Sequence, residues 1–563
     1  MKKYFYFFFI FLFLNIKQYK TSQIGKKKNI LVIIFPGGKN KNIYMKELFD
    51  FSINNNNEYD FYYDIIIHNS EKKIWEQNLI NDKNKNKYTL YDYGSISDAI
   101  EKYDIDDLPK QNLFKFYQIK LRLYNQDFLD SEIINTFKES KKKYSLLITD
   151  QPNYISILCA KELSINNKMY LSMRPLPQLF YREKQFLNPS FIPSLGSEFT
   201  NLLTFKERCT NFYNYLSDKI LNFLSNYEIK YLYNVYDYSY INTNNYFYQN
   251  TLILIQYPIF FTYPLTFPPH IIPFNPVSLP YNHILNNFDN KINSTIINEF
   301  INANKNNIIL SKEIFHQLEI DTLLKIILKM KDIGFIYLYE KEEKIPKNKI
   351  NNLLILDYQK YGFNTYEKAL YYILNKNNIF GMITNSNFNE IMVSIYYSKP
   401  VISFGSGIYQ QNINAYIIKN SVGVVINRNN INNYSSYIEA IKKIKKEDDD
   451  EFEEINNIYL KQSKKLSELL KLCNHPGIEY NKWVTYGMKN EYEDLKMLFY
   501  EKHNWFVINN FDIIIISFII IFIFLFSIFI FCKKIICPFC CCCKQSSSKI
   551  KEIKNVEKKV KKD

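Results

Sequence analysis

Short apolar runs alternate with amphipathic stretches along the first half of the chain. The run NILVIIF at 29–35 ends in Pro-Gly-Gly and precedes helical spacing from about Tyr44. Further runs at 64–67 and 144–149 follow, and the latter precedes a helical stretch at 155–163. Continuous apolar runs of this length are typical of buried parallel strands. Their alternation with helices predicts a doubly wound α/β domain.

The alternation resumes after a polar, Asn-rich stretch at 286–307. Strands are predicted at 308–310, 335–338, 352–356, 379–384, 400–404 and 422–426, with helices at 319–331, 365–374 and 434–445. This pattern predicts a second doubly wound domain, and such sheets bind ligands at the carboxyl ends of their strands. We expect domains at 24–285 and 308–505, joined by a linker at 286–307, with a return helix closing the second domain.

Two apolar segments of membrane scale flank these domains. Residues 4–14 follow Lys2 and Lys3 and are too short to span, which favours a signal peptide over 1–22. The unbroken apolar run 513–531 is long enough for one transmembrane helix, placed at 511–532. Basic residues in the tail 533–563 place it in the cytoplasm. We therefore expect a single-pass type I protein of the endoplasmic reticulum or secretory-pathway membrane, with a lumenal catalytic region.

The net charge of +15 carries little functional meaning, because the basic excess lies in the tail and the loops. No basic helix is interleaved with base-stacking aromatics, so we expect no nucleic acid partner. Only Cys159, Cys209 and Cys473 of the nine cysteines fall in the lumenal part, which leaves one disulfide open but excludes a disulfide framework. The cluster Cys540–Cys543 suits S-palmitoylation better than zinc, although unmodified thiols stay open. No metal or cofactor is expected.

One segment resembles a known family. NPSFIPSLGSEFTNLLTFKERCTNFYNYL, residues 188–216, is similar to the P-S-Y-V-P…S…T-D-x-M-T-F-x-E-R-x-x-N segment of membrane-bound UDP-glycosyltransferases of the glucuronosyltransferase type. The matching positions are Pro189, Ser190, Pro193, Ser197, Thr204, Phe205, Glu207, Arg208 and Asn211. The resemblance implies two facing Rossmann-like domains of the GT-B type. It also implies transfer of a hexosyl group from a UDP-sugar co-substrate to a lipophilic acceptor, with inversion.

The donor signature of that family, I-T-H-G-G-x-N-S-x-x-E-A-x-x-x-G-V-P-x-V, is similar to residues 383–401. Its His-Gly-Gly is replaced by Asn385-Ser386-Asn387, its Ser by Glu390 and its helix Glu by Val393. Glu390 is expected to place a negative charge beside the phosphates, in the first turn of a helix. The resemblance assigns donor binding to Ser311, Asn385, Ser386, Asn387, Asn389 and Gln410.

On the acceptor side, the family uses a His after the first strand as general base, oriented by an Asp. The corresponding loop contains Lys39 and Asn40 but no His, whereas Asp150 is retained. Asp150 would act as the base, with its pKa raised by burial, or Lys39 would act after deprotonation by desolvation. A role for Asp150 as a strand-end residue or helix cap stays open.

These features leave two principal hypotheses. The first is an inverting UDP-sugar hexosyltransferase with a UDP-sugar donor, a lipophilic small-molecule acceptor and the membrane as partners. The alternative is a catalytically degenerate member of the family that acts as a ligand-binding or partner membrane protein. A lumenal scaffold without a ligand is the third and weakest hypothesis, and a homo-oligomer is left open.

Overall fold

The computed structural model forms two compact units, Met1–Leu495 and Lys496–Asp563. The residues that it describes are 26–35, 39–79, 83–94, 127–150, 154–173, 192–194, 197, 199–200, 202–215, 217, 235, 250–258, 260–262, 267, 269–274, 295–312, 314, 318–339, 350–363, 366–445, 457–492, 515–516 and 518–530. The predicted signal peptide at 1–22 and the tail at 533–563 lie outside these residues.

The first sheet is parallel throughout. Its strands are β1 (Lys26–Ile34), β2 (Tyr59–His68), β3 (Tyr88–Tyr93), β4 (Leu146–Thr149), β5 (Lys168–Ser172), β6 (Thr251–Gln256) and β7 (Ile271–Phe274), with helices α1 (Lys39–Asn55), α2 (Asn69–Leu79), α3 (Ile133–Glu139) and α4 (Tyr154–Glu162). The spatial order is β3-β2-β1-β4-β5-β6-β7. The order reverses between β1 and β4, and ligands of such sheets bind at this switch point.

The second sheet repeats the design. Helix α5 (Thr295–Ala303) leads into β8 (Asn306–Leu310), α6 (Ile320–Lys329), β9 (Ile333–Tyr339), β10 (Leu353–Asp357), α7 (Tyr366–Leu374), β11 (Ile379–Thr384), α8 (Phe388–Tyr396), β12 (Val401–Ser403), α9 (Ile408–Asn420), β13 (Gly423–Val425) and α10 (Tyr434–Ile444). The order β10-β9-β8-β11-β12-β13 puts its switch point between β8 and β11. Two parallel-sheet Rossmann-like domains are therefore confirmed. Helix α5 lies within the range predicted as a linker.

The continuous apolar pattern of β1 reflects burial on both faces of its sheet. Ile30, Val32 and Ile34 join one hydrophobic core, whereas Leu31 and Ile33 join another on the opposite face. Because successive side chains of a strand point to opposite faces, an apolar residue is required at every position. Layers of helix on both faces of each sheet supply the partners.

Two helices end the first unit. Helix α11 (Ile458–Leu472) packs on α8, and α12 (Pro476–Lys489) packs on α1 of the first domain. Hydrogen bonds strengthen that contact, since Asn56 Nδ2 donates to Asn481 Oδ1 at 3.0 Å and to Thr485 Oγ1 at 2.7 Å. The first domain is thus held by the end of the second domain's chain.

In the second unit, residues 515–516 and 518–530 are helical and their apolar side chains are exposed. None of the helices within the described residues has both the length and the apolar character needed to cross a membrane. The span expected at 511–532 is not confirmed, and parts of it lie outside the described residues.

Candidate active site

The carboxyl edge of the first sheet carries a buried ion pair. Asp150 follows β4 directly, and Ile33 of β1 pairs with Thr149, so the carboxylate lies beside the end of β1. Its Oδ1 accepts a hydrogen bond from the Phe35 N–H at 3.1 Å. Lys41 Nζ donates to Asp150 Oδ2 and to the Phe35 carbonyl. The side chains of Lys41 and Asp150 are only 13% and 1% exposed, so water screens this pair weakly.

The surroundings tune the proton affinity of Asp150. Burial raises the pKa of its carboxyl, and the Lys41 ammonium and the Phe35 N–H offset only part of that rise. The negative charge of Glu71 raises the pKa of Asp150 further. A carboxylate in this environment is a stronger base than an exposed aspartate.

Glu71 belongs to the same edge of the sheet. It lies in the first turn of α2, and its Oε2 accepts from Asn42 Nδ2 at 2.6 Å. Both residues are almost completely buried. The edge therefore brings together two carboxylates, a lysine and an amide, supplied by α1, α2 and β4.

The structure places the predicted acceptor-side residues differently. Asp150 lies at the switch point, as the doubly wound pattern implies. Lys39 is the first residue of α1, and its side chain lies outside the described part of the chain. Lys41, which sequence reasoning did not name, makes the ion pair. Lys41 lies in the first turn of α1, which begins at Lys39 rather than near Tyr44.

The equivalent edge of the second sheet contains the turn between β11 and α8. Asn387 is the N-cap of α8, and its Oδ1 accepts the N–H groups of Asn389 and Glu390 at 3.1 and 3.4 Å. Ser386 has a φ of 68°, in the left-handed region that the glycine of the family signature adopts without strain. Its Oγ lies 2.7 Å from Asn414 Oδ1 and accepts the Gly405 N–H at 2.9 Å.

The Glu390 carboxylate, expected beside the donor phosphates, instead lies inside the domain. Its Oε1 accepts hydrogen bonds from Ser311 Oγ at 3.0 Å and Tyr366 OH at 2.8 Å, and its Oε2 accepts from Thr384 Oγ1 at 2.6 Å. The expectation of a carboxylate facing bound phosphates is therefore wrong in its geometry. Three hydroxyls hold the carboxylate inside the domain, with the residue only 3% exposed.

The remaining donor-side candidates divide by role. Ser311 is buried and holds Glu390, whereas Gln410 Oε1 accepts the Gly407 N–H at 2.7 Å and caps α9. Asn385 is also buried in the turn. Asn389 is directed at the first domain, where Gln256 Nε2, at the end of β6, lies 3.5 Å from its Oδ1. The structure thus gathers the candidates at one switch point, several of them already engaged in local hydrogen bonds.

The segment that carries the family resemblance has a structural role. Glu207 Oε2 accepts from both the N–H and the hydroxyl of Thr204 at 2.7 Å, which caps the helical residues 205–215. Asn211 Nδ2 donates to the Ile192 carbonyl at 2.7 Å. In addition, Asn412 of α9 donates to the carbonyl of Ser194 at 3.2 Å. The contact of Asn412 joins the segment to the second domain, whereas the other hydrogen bonds lie within the segment.

Solved structures with the same fold are glycosyltransferases. A UDP-glucosyltransferase from Polygonum tinctorium, in complex with 3,4-dichloroaniline, matches with a TM-score of 0.51 and 12% identity, over 82% of this chain and 99% of that chain. Os79 from O. sativa, solved with U2F and trichothecene, matches with a TM-score of 0.50 and 11% identity, over 81% and 100%. The glycotransferase of kitacinnamycin matches with a TM-score of 0.50 and 8% identity, over 82% and 99%. The two-domain architecture is therefore the GT-B glycosyltransferase fold.

A family model matches part of the sequence. The model of the family described as UDP-glucoronosyl and UDP-glucosyl transferase matches residues 45–317. This match confirms the resemblance to that family. The match begins within α1 and covers the rest of the first domain and the start of the second, but it includes neither β1 and Lys41 nor the turn at 385–387. No curated protein matches the sequence.

Proposed function

We propose that the protein transfers a hexosyl group from a UDP-sugar to a lipophilic hydroxyl or carboxyl acceptor, with inversion at the sugar carbon. The observation that carries the proposal is the buried pair of Lys41 and Asp150 at the switch point of the first sheet. A family enzyme needs a proton acceptor at this place, and a desolvated carboxylate held by a lysine provides one. The donor binds at the switch point of the second sheet, around Ser311, Asn389 and the turn at 385–387.

The reaction requires one proton transfer on the acceptor side. The acceptor O–H gives its proton to the Asp150 carboxylate as its oxygen forms a bond to the anomeric carbon. The bond between that carbon and the phosphate oxygen breaks, and UDP leaves with the electron pair. Lys41 fixes the orientation of Asp150 through Oδ2, while the Phe35 N–H fixes Oδ1. No metal is required for these steps.

A second candidate function is binding without turnover. It is favoured by the N-terminus of α8, where the Asn387 side chain accepts two of the N–H groups that a diphosphate would otherwise use. In this case the chain acts as a ligand-binding or partner protein that retains the fold of the family.

We further propose that the protein works at the endoplasmic reticulum or another membrane of the secretory pathway, with its two domains in the lumen. The support is the apolar run 513–531 and the basic residues that follow it. Protease added to sealed microsomes should then remove only the tail after Lys533, whereas digestion of the two domains would contradict this topology.

Ligand-induced stabilisation tests the donor site that a transferase and a sugar-nucleotide binding protein both require. The full-length chain is heated with UDP, with a panel of UDP-sugars and, as a control, with adenosine diphosphate. A saturable rise in the melting temperature that is specific for the uridine compounds supports a donor site. The absence of any rise with UDP or a UDP-sugar at millimolar concentration contradicts both the transferase and a sugar-nucleotide binding protein.

A further inference from the structure

A lysine lies at the switch point of the second sheet, outside the set of residues that the family resemblance assigns. Lys312 follows Ser311 in the loop after β8, and the Ser311 N–H donates to the Ile383 carbonyl of β11 at 2.9 Å. Tyr337 OH donates to the Lys312 carbonyl at 3.1 Å, and the Lys312 N–H donates to Tyr366 OH at 3.4 Å. Two tyrosines therefore fix the backbone of Lys312 at the edge where donor binding is proposed.

The side chain of Lys312 has a defined support. Its Nζ lies 5.0 Å from the centroid of the Tyr366 ring, within the range of a cation–π contact. The hydroxyl of the same ring donates to Glu390 Oε1 at 2.8 Å. One tyrosine thus carries a cation on its face and a buried carboxylate at its hydroxyl, so both charges are positioned by a single ring.

The charge at this edge differs from the family pattern. Asn385 stands where the signature places a His. The end of β11 therefore lacks a ring N–H and a potential positive charge. Glu390 adds a negative charge in the first turn of α8, although three hydroxyls hold it inward. The turn Asn385-Ser386-Asn387 contains no positively charged side chain, so a cation for a bound diphosphate would come from elsewhere at this edge.

We propose that Lys312 supplies this cation and contacts the diphosphate of the bound nucleotide, so that the positive charge has moved from the strand β11 to the neighbouring strand β8. The inference rests on the proposed function. An ammonium group offers three donors to phosphate oxygens, and charge-assisted hydrogen bonds of this kind are stronger than neutral ones. Lys312 is therefore a specificity-determining residue for the diphosphate part of the donor.

Neutral and charged replacements of Lys312 test the role of its charge. Lys312→Met keeps an apolar stem over Tyr366 but removes the charge, and it should weaken UDP binding about tenfold to a hundredfold. Uridine, which has no phosphate, should bind with unchanged affinity. Lys312→Arg keeps the charge and should stay within about threefold of the natural chain in its affinity for UDP. Dissociation constants are measured by calorimetry on the full-length chain.

A matched control is available in the same domain. Lys331 is exposed between α6 and β9, at the amino edge of the same sheet. Lys331→Met makes the same change in charge and should leave the affinities for UDP and uridine unchanged. Equal losses in Lys331→Met and Lys312→Met would reduce the effect to net charge and overturn the inference. A parallel loss of uridine binding in Lys312→Met would overturn it as well, since it would point to disturbed packing around Tyr366.

Inorganic diphosphate separates this inference from the proposed function. If the natural chain binds diphosphate but not UDP, and Lys312→Met weakens diphosphate binding, the proposed function fails and the assignment of Lys312 stands. If the natural chain binds UDP and Lys312→Met binds it equally well, the assignment fails and the proposed function stands. Binding of neither probe by the natural chain contradicts both.

Discussion

At the scale of single residues, the family pattern has been replaced by different groups at the same places in the fold. The acceptor side has a Lys41–Asp150 pair where the family has a His oriented by an Asp. In the turn at 385–387, Ser386 adopts the left-handed conformation that the family obtains from glycine. Polar side chains therefore occupy both positions, although the residue types differ.

The inward orientation of Glu390 leads to a stability prediction. Glu390→Ser removes the acceptor for Ser311, Tyr366 and Thr384, and buried hydroxyls that lose their partner are costly. We expect the free energy of unfolding to fall by about 2 kcal/mol or more in urea titrations. Glu439→Ser, at an exposed ion pair with Lys443, is the control and should leave the free energy of unfolding nearly unchanged. Equal stability of the two variants would mean that the hydroxyl cluster does not stabilise the domain.

At the scale of helices and strands, every strand of the second sheet overlaps a predicted strand, whereas β3, β5, β6 and β7 of the first sheet were not predicted. Strands such as β1 and β11 are buried on both faces, so their continuous apolar runs identify them without ambiguity. The start of α1 was misplaced, because its first turn carries Lys39 to Asn42 rather than apolar residues. Side-chain contacts between distant elements, such as Lys41 with Asp150, 109 positions apart, cannot be read from local periodicity.

Helix α12 supplies a pH-dependent element. His475 is its N-cap, and the neutral ring accepts the Gly477 N–H through Nδ1 at 3.1 Å while it stacks on Phe51 at a centroid distance of 4.9 Å. Burial lowers the pKa of His475 from 6.5 to about 4. Between these values the unfolded chain binds a proton that the folded chain does not, so stability falls as the pH drops from about 6.5 to about 4.

A substitution isolates this contribution. In the natural chain, protonation of His475 should lower the free energy of unfolding by about 2 kcal/mol between pH 7 and pH 4, measured by urea unfolding. His475→Asn retains a good N-cap that does not titrate in this range. The free energy of unfolding of this variant should therefore fall by about 2 kcal/mol less than that of the natural chain over the same pH interval. Identical pH profiles for the two chains would show that His475 is not responsible for the pH dependence.

At the scale of the whole molecule, the fold is shared with enzymes to which the sequence has only 8 to 12% identity. The family match ends at residue 317, before the turn at 385–387, and the donor side is where the residues depart furthest from the family signature. Both switch points nevertheless keep buried polar clusters. The fold class and the family resemblance could be predicted from the sequence, whereas the contacts of Lys41 and Lys312 required the structure, because their partners lie on other strands and helices.

The central claim is that Asp150, held by Lys41, accepts the proton from the acceptor. Its most direct test is turnover, measured as UDP release from UDP-sugars with a panel of phenols and long-chain alcohols, for the full-length chain and for Asp150→Asn. We predict that Asp150→Asn lowers kcat by about a hundredfold or more while the affinity for UDP stays unchanged, since the amide keeps the shape but is no longer a base. In the natural chain kcat/KM should rise with pH as Asp150 ionises, above the ordinary range for an aspartate because its pKa is raised. Undiminished turnover of Asp150→Asn, or no turnover of the natural chain with any donor and acceptor, would contradict the account.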